Sequence, residues 1–80
     1  MNIEIEVKLQ NIFKSIFDSD LDFKSELSSR TLSNWDSLNF LSIILSIEEE
    51  FGVVFETNDL LVMDSYSGIL YLLRDKLNLK

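Results

Sequence analysis

The chain has 80 residues, 46% apolar and 26% charged, with no Cys, no His and a formal net charge of −7. That is room for one core and one domain over residues 1–80, and it removes disulfides, thiolate–metal sites, the commonest metal ligand and the commonest general base. The negative charge argues against nucleic acid or an anionic membrane surface as partner, and favours a basic patch on another protein.

A small fold without disulfides or metal depends on regular helix packing. The opening MNIEIEVKLQ has acids and no continuous apolar core, so no signal peptide is expected, and no apolar run has the length of a membrane span. A cytoplasmic chain is the expectation, and a monomer is the simplest one. With no Pro and two Gly, no flexible linker divides the sequence.

Residues 3–17 carry Ile5, Leu9, Ile12, Phe13, Ile16 and Phe17 at helical spacing. The stretch IEIEV alternates as a strand would, but lacks a clear partner strand, and helix is the preferred reading. Residues 18–35, DSDLDFKSELSSRTLSNW, are polar and irregular. They read as a long loop pinned by Leu21, Phe23, Leu27 and Leu32. Residues 37–51, SLNFLSIILSIEEEF, give the strongest helix. Phe40, Ile44, Ile47 and Phe51 form its apolar stripe, and Leu41, Ile43 and Leu45 widen that surface. Gly52 fits the position just past its end. A connector, VVF (53–55), leads to a short helix over 57–62 capped by Thr57 or Asn58. The last helix starts near Ser65 and carries Tyr66, Ile69, Leu70, Leu73 and Leu77 on one face, with Arg74, Lys76 and Lys80 suiting its C-terminal end. The predicted fold class is all-α: a four-helix bundle with a long first loop and a short third helix.

Four stretches could carry chemistry. Asp36 is a good N-cap, and Trp35 with Phe40 could form a hydrophobic staple. Ser37 is then the first helical residue, with its hydroxyl outward and not needed for the cap. It is either an ordinary helix-start serine or a site of modification, since a phosphate there would meet free N–H groups. Nucleophilic catalysis by Ser37 is not expected, because no His or other obvious base accompanies it, and no enzyme is inferred. Residues 18–29 place Asp18, Asp20 and Asp22 like the first ligands of an EF-hand loop. The pattern fails at Phe23, where Gly is needed, and at Ser29, where Glu is needed. The run Glu48-Glu49-Glu50 reads as a solvated face that can meet a basic partner. The excess of apolar positions on the strongest helix reads as a wide core face, as Leu38 or Leu45 exposed for a partner, or as a bundle able to admit an acyl chain.

Together these residues resemble an acyl carrier protein. WDSLNFLSIILSIEEEFGVVF, residues 35–55, is similar to that family's signature: Asp-Ser-Leu, an apolar helix, acids, Phe and a short apolar connector. The likeness extends with lower specificity over nearly the whole chain. It implies an acyl-carrier-like four-helix fold. It implies that a phosphopantetheinyl transferase, using coenzyme A, esterifies Ser37 with 4'-phosphopantetheine, whose terminal thiol carries an acyl group as a thioester. Asp36 matches the acid the transferase needs, and Leu38 the exposed apolar contact for it and later partners. Leu45, Glu48 and Glu49 match positions that meet acyl-loading and acyl-processing enzymes with basic patches. Ile47, Phe55, Met63 and Ile69 match candidates for the lining of the family's acyl pocket. A carrier of this kind needs no catalytic His and no metal; it presents its cargo on a tether and binds many partners weakly.

The chain departs from fatty-acid-type carriers at Asn39 and Ser42, where acids are common, and in the apolar character of TNDLLV (57–62). Trp35 before the motif resembles free-standing carriers of specialised pathways, such as secondary-metabolite, polyketide-like or surface-glycan biosynthesis, beside fatty-acid synthesis. Peptidyl carriers share the fold but more often have Gly before the motif and are less acidic. The rival reading is a small acidic helical adaptor that binds a basic partner and is never modified.

Overall fold

The computed structural model describes residues 3–77. Four helices follow in order: α1 Ile3–Ile16, α2 Ser37–Phe51, α3 Thr57–Leu60 and α4 Tyr66–Lys76. The described residues contain no strand, and IEIEV is the first part of α1. An isolated antiparallel bridge joins Ser28 to Ser65. Lys80, expected near the end of the last helix, lies outside the described residues.

Each helix buries the side that its spacing dictates. On α1, Ile5, Leu9 and Phe13 stand four apart and are buried, with Glu4 and Glu6 in the first turn and Lys14 in the last. On α2 the buried line is Ile43 and Ile47, while the expected Phe40, Ile44 and Phe51 are half-buried against it. On α4, Tyr66, Ile69 and Leu73 are buried. These side chains, with Leu27 and Met63, make one core. Phe13 is at its centre: its ring lies 5.2 to 6.3 Å from those of Tyr66, Phe17, Trp35 and Phe23. Three of these contacts are edge-on, the arrangement aromatic quadrupoles favour.

Helix ends follow local chemistry. Gly52 sits at φ 67°, where a Cβ would be strained, and its N–H closes α2 on the Glu48 carbonyl at 2.9 Å. Ser65 caps α4, its hydroxyl accepting from Gly68 N–H at 3.0 Å. The short helix differs from expectation at both ends. Its cap residue is Glu56 rather than Thr57 or Asn58, because the Asp59 carboxylate reaches back to accept the Glu56 N–H at 2.8 Å. It stops at Leu60 rather than 62. Leu61, Val62 and Met63 instead donate three residues back, tight turns that bring the chain round to α4.

The long loop, residues 18–35, is fixed by its own residues. Asp18 accepts from Asp20 N–H and Asp22 from Lys24 N–H, both at 3.0 Å, so these carboxylates make turns. Leu27 is buried, and Leu21, Phe23 and Leu32 pack against the core. Two backbone bonds clip the loop to the head of α4: Tyr66 N–H to Leu27 carbonyl at 2.8 Å, and Ser29 N–H to Asp64 carbonyl at 3.0 Å. Between α1 and α4, the Arg74 guanidinium donates to Glu6 at 2.7 Å and Gln10 donates to the Tyr66 hydroxyl at 3.2 Å. Burial pushes the Tyr66 phenol above its ordinary pKa.

Candidate functional site

The head of α2 is built by Trp35, Asp36 and Ser37. Asp36 is extended, and its carboxylate accepts the Asn39 N–H at 2.8 Å. The Trp35 and Phe40 rings stack 6.3 Å apart, a staple between the residue before the cap and the fourth helical residue. Trp35 also stacks on Phe17 at 5.5 Å, which fixes the chain's entry into α2 against the core. Ser37 is therefore the first helical residue, exposed, and the cap bond is made without its hydroxyl. The N–H groups of Ser37 and Leu38 belong to the unpaired first turn, where partial positive charge favours an anion.

The neighbouring residues sort into three sets. Leu38 is 76% exposed and Leu45 57% exposed, and Leu41, on the same face, is 51% exposed. From the sequence alone Leu41 reads only as widening the apolar surface of α2, although its spacing from both leucines places it on their face. Glu49 is exposed, but Glu48 is half-buried and turned to the connector, where it accepts the Phe55 N–H at 2.9 Å. Glu50 lies 3.5 Å from Lys8 on α1. The acidic run thus divides between structural and exposed roles. Ile47, Met63 and Ile69 are fully buried in the same core, and Phe55 is half-buried at its edge. Two clefts open elsewhere: one of about 260 Å³ between residues 23–27 and α4, and one of about 290 Å³ by Lys8, Asn11 and Glu50. Neither is lined by Ile47, Phe55, Met63 or Ile69.

The connector and α3 are held to α4 through one lysine. Lys76 Nζ is 2.8 Å from the Asp59 carboxylate and 5.7 Å from the centre of the Phe55 ring. The Asp59 carboxyl is held below its ordinary range, first by the Glu56 N–H and next by Lys76, and Lys76 is raised by Asp59. No residue of α3 is buried, and Leu60, Leu61 and Val62 are exposed in succession. Among the described residues no group of three or more acidic side chains is placed to hold a metal ion, and no helix is long and apolar enough to cross a membrane.

No family model matches this chain, and no curated protein or solved structure matches it at the significance required.

Proposed function

We propose that the chain is an acyl carrier: a binding module, not an enzyme, with an acyl-carrier-like four-helix fold. Ser37 receives 4'-phosphopantetheine from coenzyme A through a phosphopantetheinyl transferase. The observation that carries this reading is an exposed serine directly after the capping aspartate, at the head of a 15-residue helix, with its hydroxyl outside the cap. In the loading step Ser37 Oγ bonds to the phosphorus that bears the pantetheine arm. The pyrophosphate bond of coenzyme A breaks, adenosine bisphosphate leaves, and the hydroxyl proton passes to a base on the transferase. When attached, the arm supplies a terminal thiol that can hold an acyl group as a thioester.

The chain's own residues do the rest. Asp36 fixes the serine at the helix head and presents a carboxylate beside it. The first-turn N–H groups favour the phosphodiester charge. Leu38 stands next to Ser37 as an apolar contact, and Glu49 offers an exposed acid farther along α2. Ile47, Met63 and Ile69 are fully buried in the core and Phe55 is half-buried at its edge, so these four residues would have to move apart to line a pocket for an acyl chain. The partners are cytoplasmic acyl-loading and acyl-processing enzymes of fatty-acid, polyketide-like or other specialised biosynthesis. Incubation with coenzyme A, magnesium and a broad-specificity transferase tests the reading by intact mass. A gain of one phosphopantetheine on the wild type and none on Ser37→Ala is expected. A chain that gains nothing would instead fit an unmodified acidic adaptor.

A further inference from the structure

The bonds that clip the long loop to the head of α4 leave a cleft of about 260 Å³ beside them, between residues 23–27 and that helix. Tyr66, Leu70 and Arg74 recur every four residues, so one side of α4 forms its wall. Three aromatic rings line it: Phe23, Tyr66 and Tyr71. The first two are fixed before any ligand arrives. Their centres lie 4.9 Å apart, both stand edge-on to Phe13, and the Tyr66 hydroxyl accepts from Gln10 at 3.2 Å. The third, Tyr71, is 75% exposed. Lys14 Nζ lies 5.9 Å from the centre of the Phe23 ring and is not part of the lining, so this ring already meets one cation outside the cleft.

Two charges line the cleft, Arg74 and Glu26. The Arg74 guanidinium is met by Glu6 at 2.7 Å, whereas Glu26 is exposed and has no ion pair among the described residues. The unmatched charge is therefore negative. We infer that this cleft is a binding site for a small organic cation of the quaternary-ammonium class, held against the faces of the three rings with Glu26 as its counter-charge. Such an ion has an apolar surface that suits the rings and a charge that their quadrupoles attract. An anion would compete with Glu6 for Arg74, meet Glu26, and approach a chain of net charge −7. The site stands apart from Ser37 and does not depend on the carrier reading.

The test is a titration of the whole chain with choline, followed by backbone amide resonances at constant ionic strength. Choline is expected to give saturable shifts confined to residues 23–27 and 66–74. Its neutral isostere, 3,3-dimethylbutanol, is expected to bind at least about tenfold more weakly, since it keeps the shape and loses the charge. Tyr71→Leu is expected to weaken choline about fivefold, and Tyr71→Phe to change it by less than about twofold, because the ring and not the hydroxyl is used. Glu26→Gln is expected to weaken it about threefold at most, the range of an exposed charge. Thermal melts check that each variant is folded. Equal binding of choline and the neutral alcohol overturns the inference. So do non-saturating choline shifts spread over the acidic residues of the whole chain, an unchanged affinity in Tyr71→Leu, or benzoate binding in the cleft more tightly than choline.

Discussion

Replacing Asp36 by Ala, beside Ser37→Ala, separates the residue that builds the helix head from the residue proposed for modification. Asp36 contributes the cap bond to Asn39 N–H at 2.8 Å and a negative charge at the positive end of α2. Loss of such a cap costs about 1 kcal/mol, within about 0.5 to 2. For a domain of this size that lowers the melting temperature by about 4 to 8 °C. The Trp35–Phe40 staple remains, so α2 still forms and the transition stays cooperative. Ser37→Ala removes a hydroxyl outside the cap and introduces the best helix former, so its change stays within about 0.5 kcal/mol. Melting both variants at neutral pH, followed by far-ultraviolet circular dichroism, checks this. If Ser37→Ala costs as much as Asp36→Ala, the serine belongs to the cap and the division of labour is refuted.

Phe13→Ala is expected to cost about 3 to 5 kcal/mol, read from urea unfolding, since that ring is fully buried among four others; a loss below about 1 kcal/mol would deny Phe13 its central place. Gly68→Ala drives a Cβ into the Val62 carbonyl oxygen, closer than van der Waals contact allows. It is expected to destabilise by about 1 to 3 kcal/mol despite Ala's better helix propensity, and a higher urea midpoint would contradict this. The Asp59–Lys76 pair gives a pH dependence. The Asp59 contribution is complete above its ordinary 3.8 and is lost as pH falls through its lower folded value. The Lys76 contribution is complete below 10.5 and is lost as pH rises through its higher folded value. The stability gap between wild type and Lys76→Met is therefore expected to stay flat from about pH 5 to 9 and to close at both extremes; a gap that changes near neutrality would contradict it.

The helix ends were legible where a residue type has one strong local use. Asp36, Gly52 and Ser65 each occupy the position that their chemistry suits, and α2 runs between the first two as read. Glu56 was missed because glutamate is not a favoured cap; the bond comes from Asp59, three residues on. The inner line of α2 was not legible either. Apolar residues crowd that helix, so its periodicity admits several stripes, and packing against α1 and the shared core selects Ile43 and Ile47. The same choice turns Leu41 and Leu45 outward. Glu48 could not be read from spacing, because its bond to Phe55 depends on the connector folding back beside α2. In the long loop, the anchoring leucines and phenylalanine were visible as apolar residues in a polar stretch. Their route was not, since the clip between Leu27 and Tyr66 spans distant parts of the chain.

The most direct measurement locates the modification. The chain would be produced in cells together with a broad-specificity phosphopantetheinyl transferase, digested, and sequenced by fragment masses. A phosphopantetheine found on Ser37, and on no other serine, is the predicted result. An unmodified Ser37, or an arm on Ser42 or Ser46 instead, would contradict the claim that the head of α2 is built to offer this one hydroxyl.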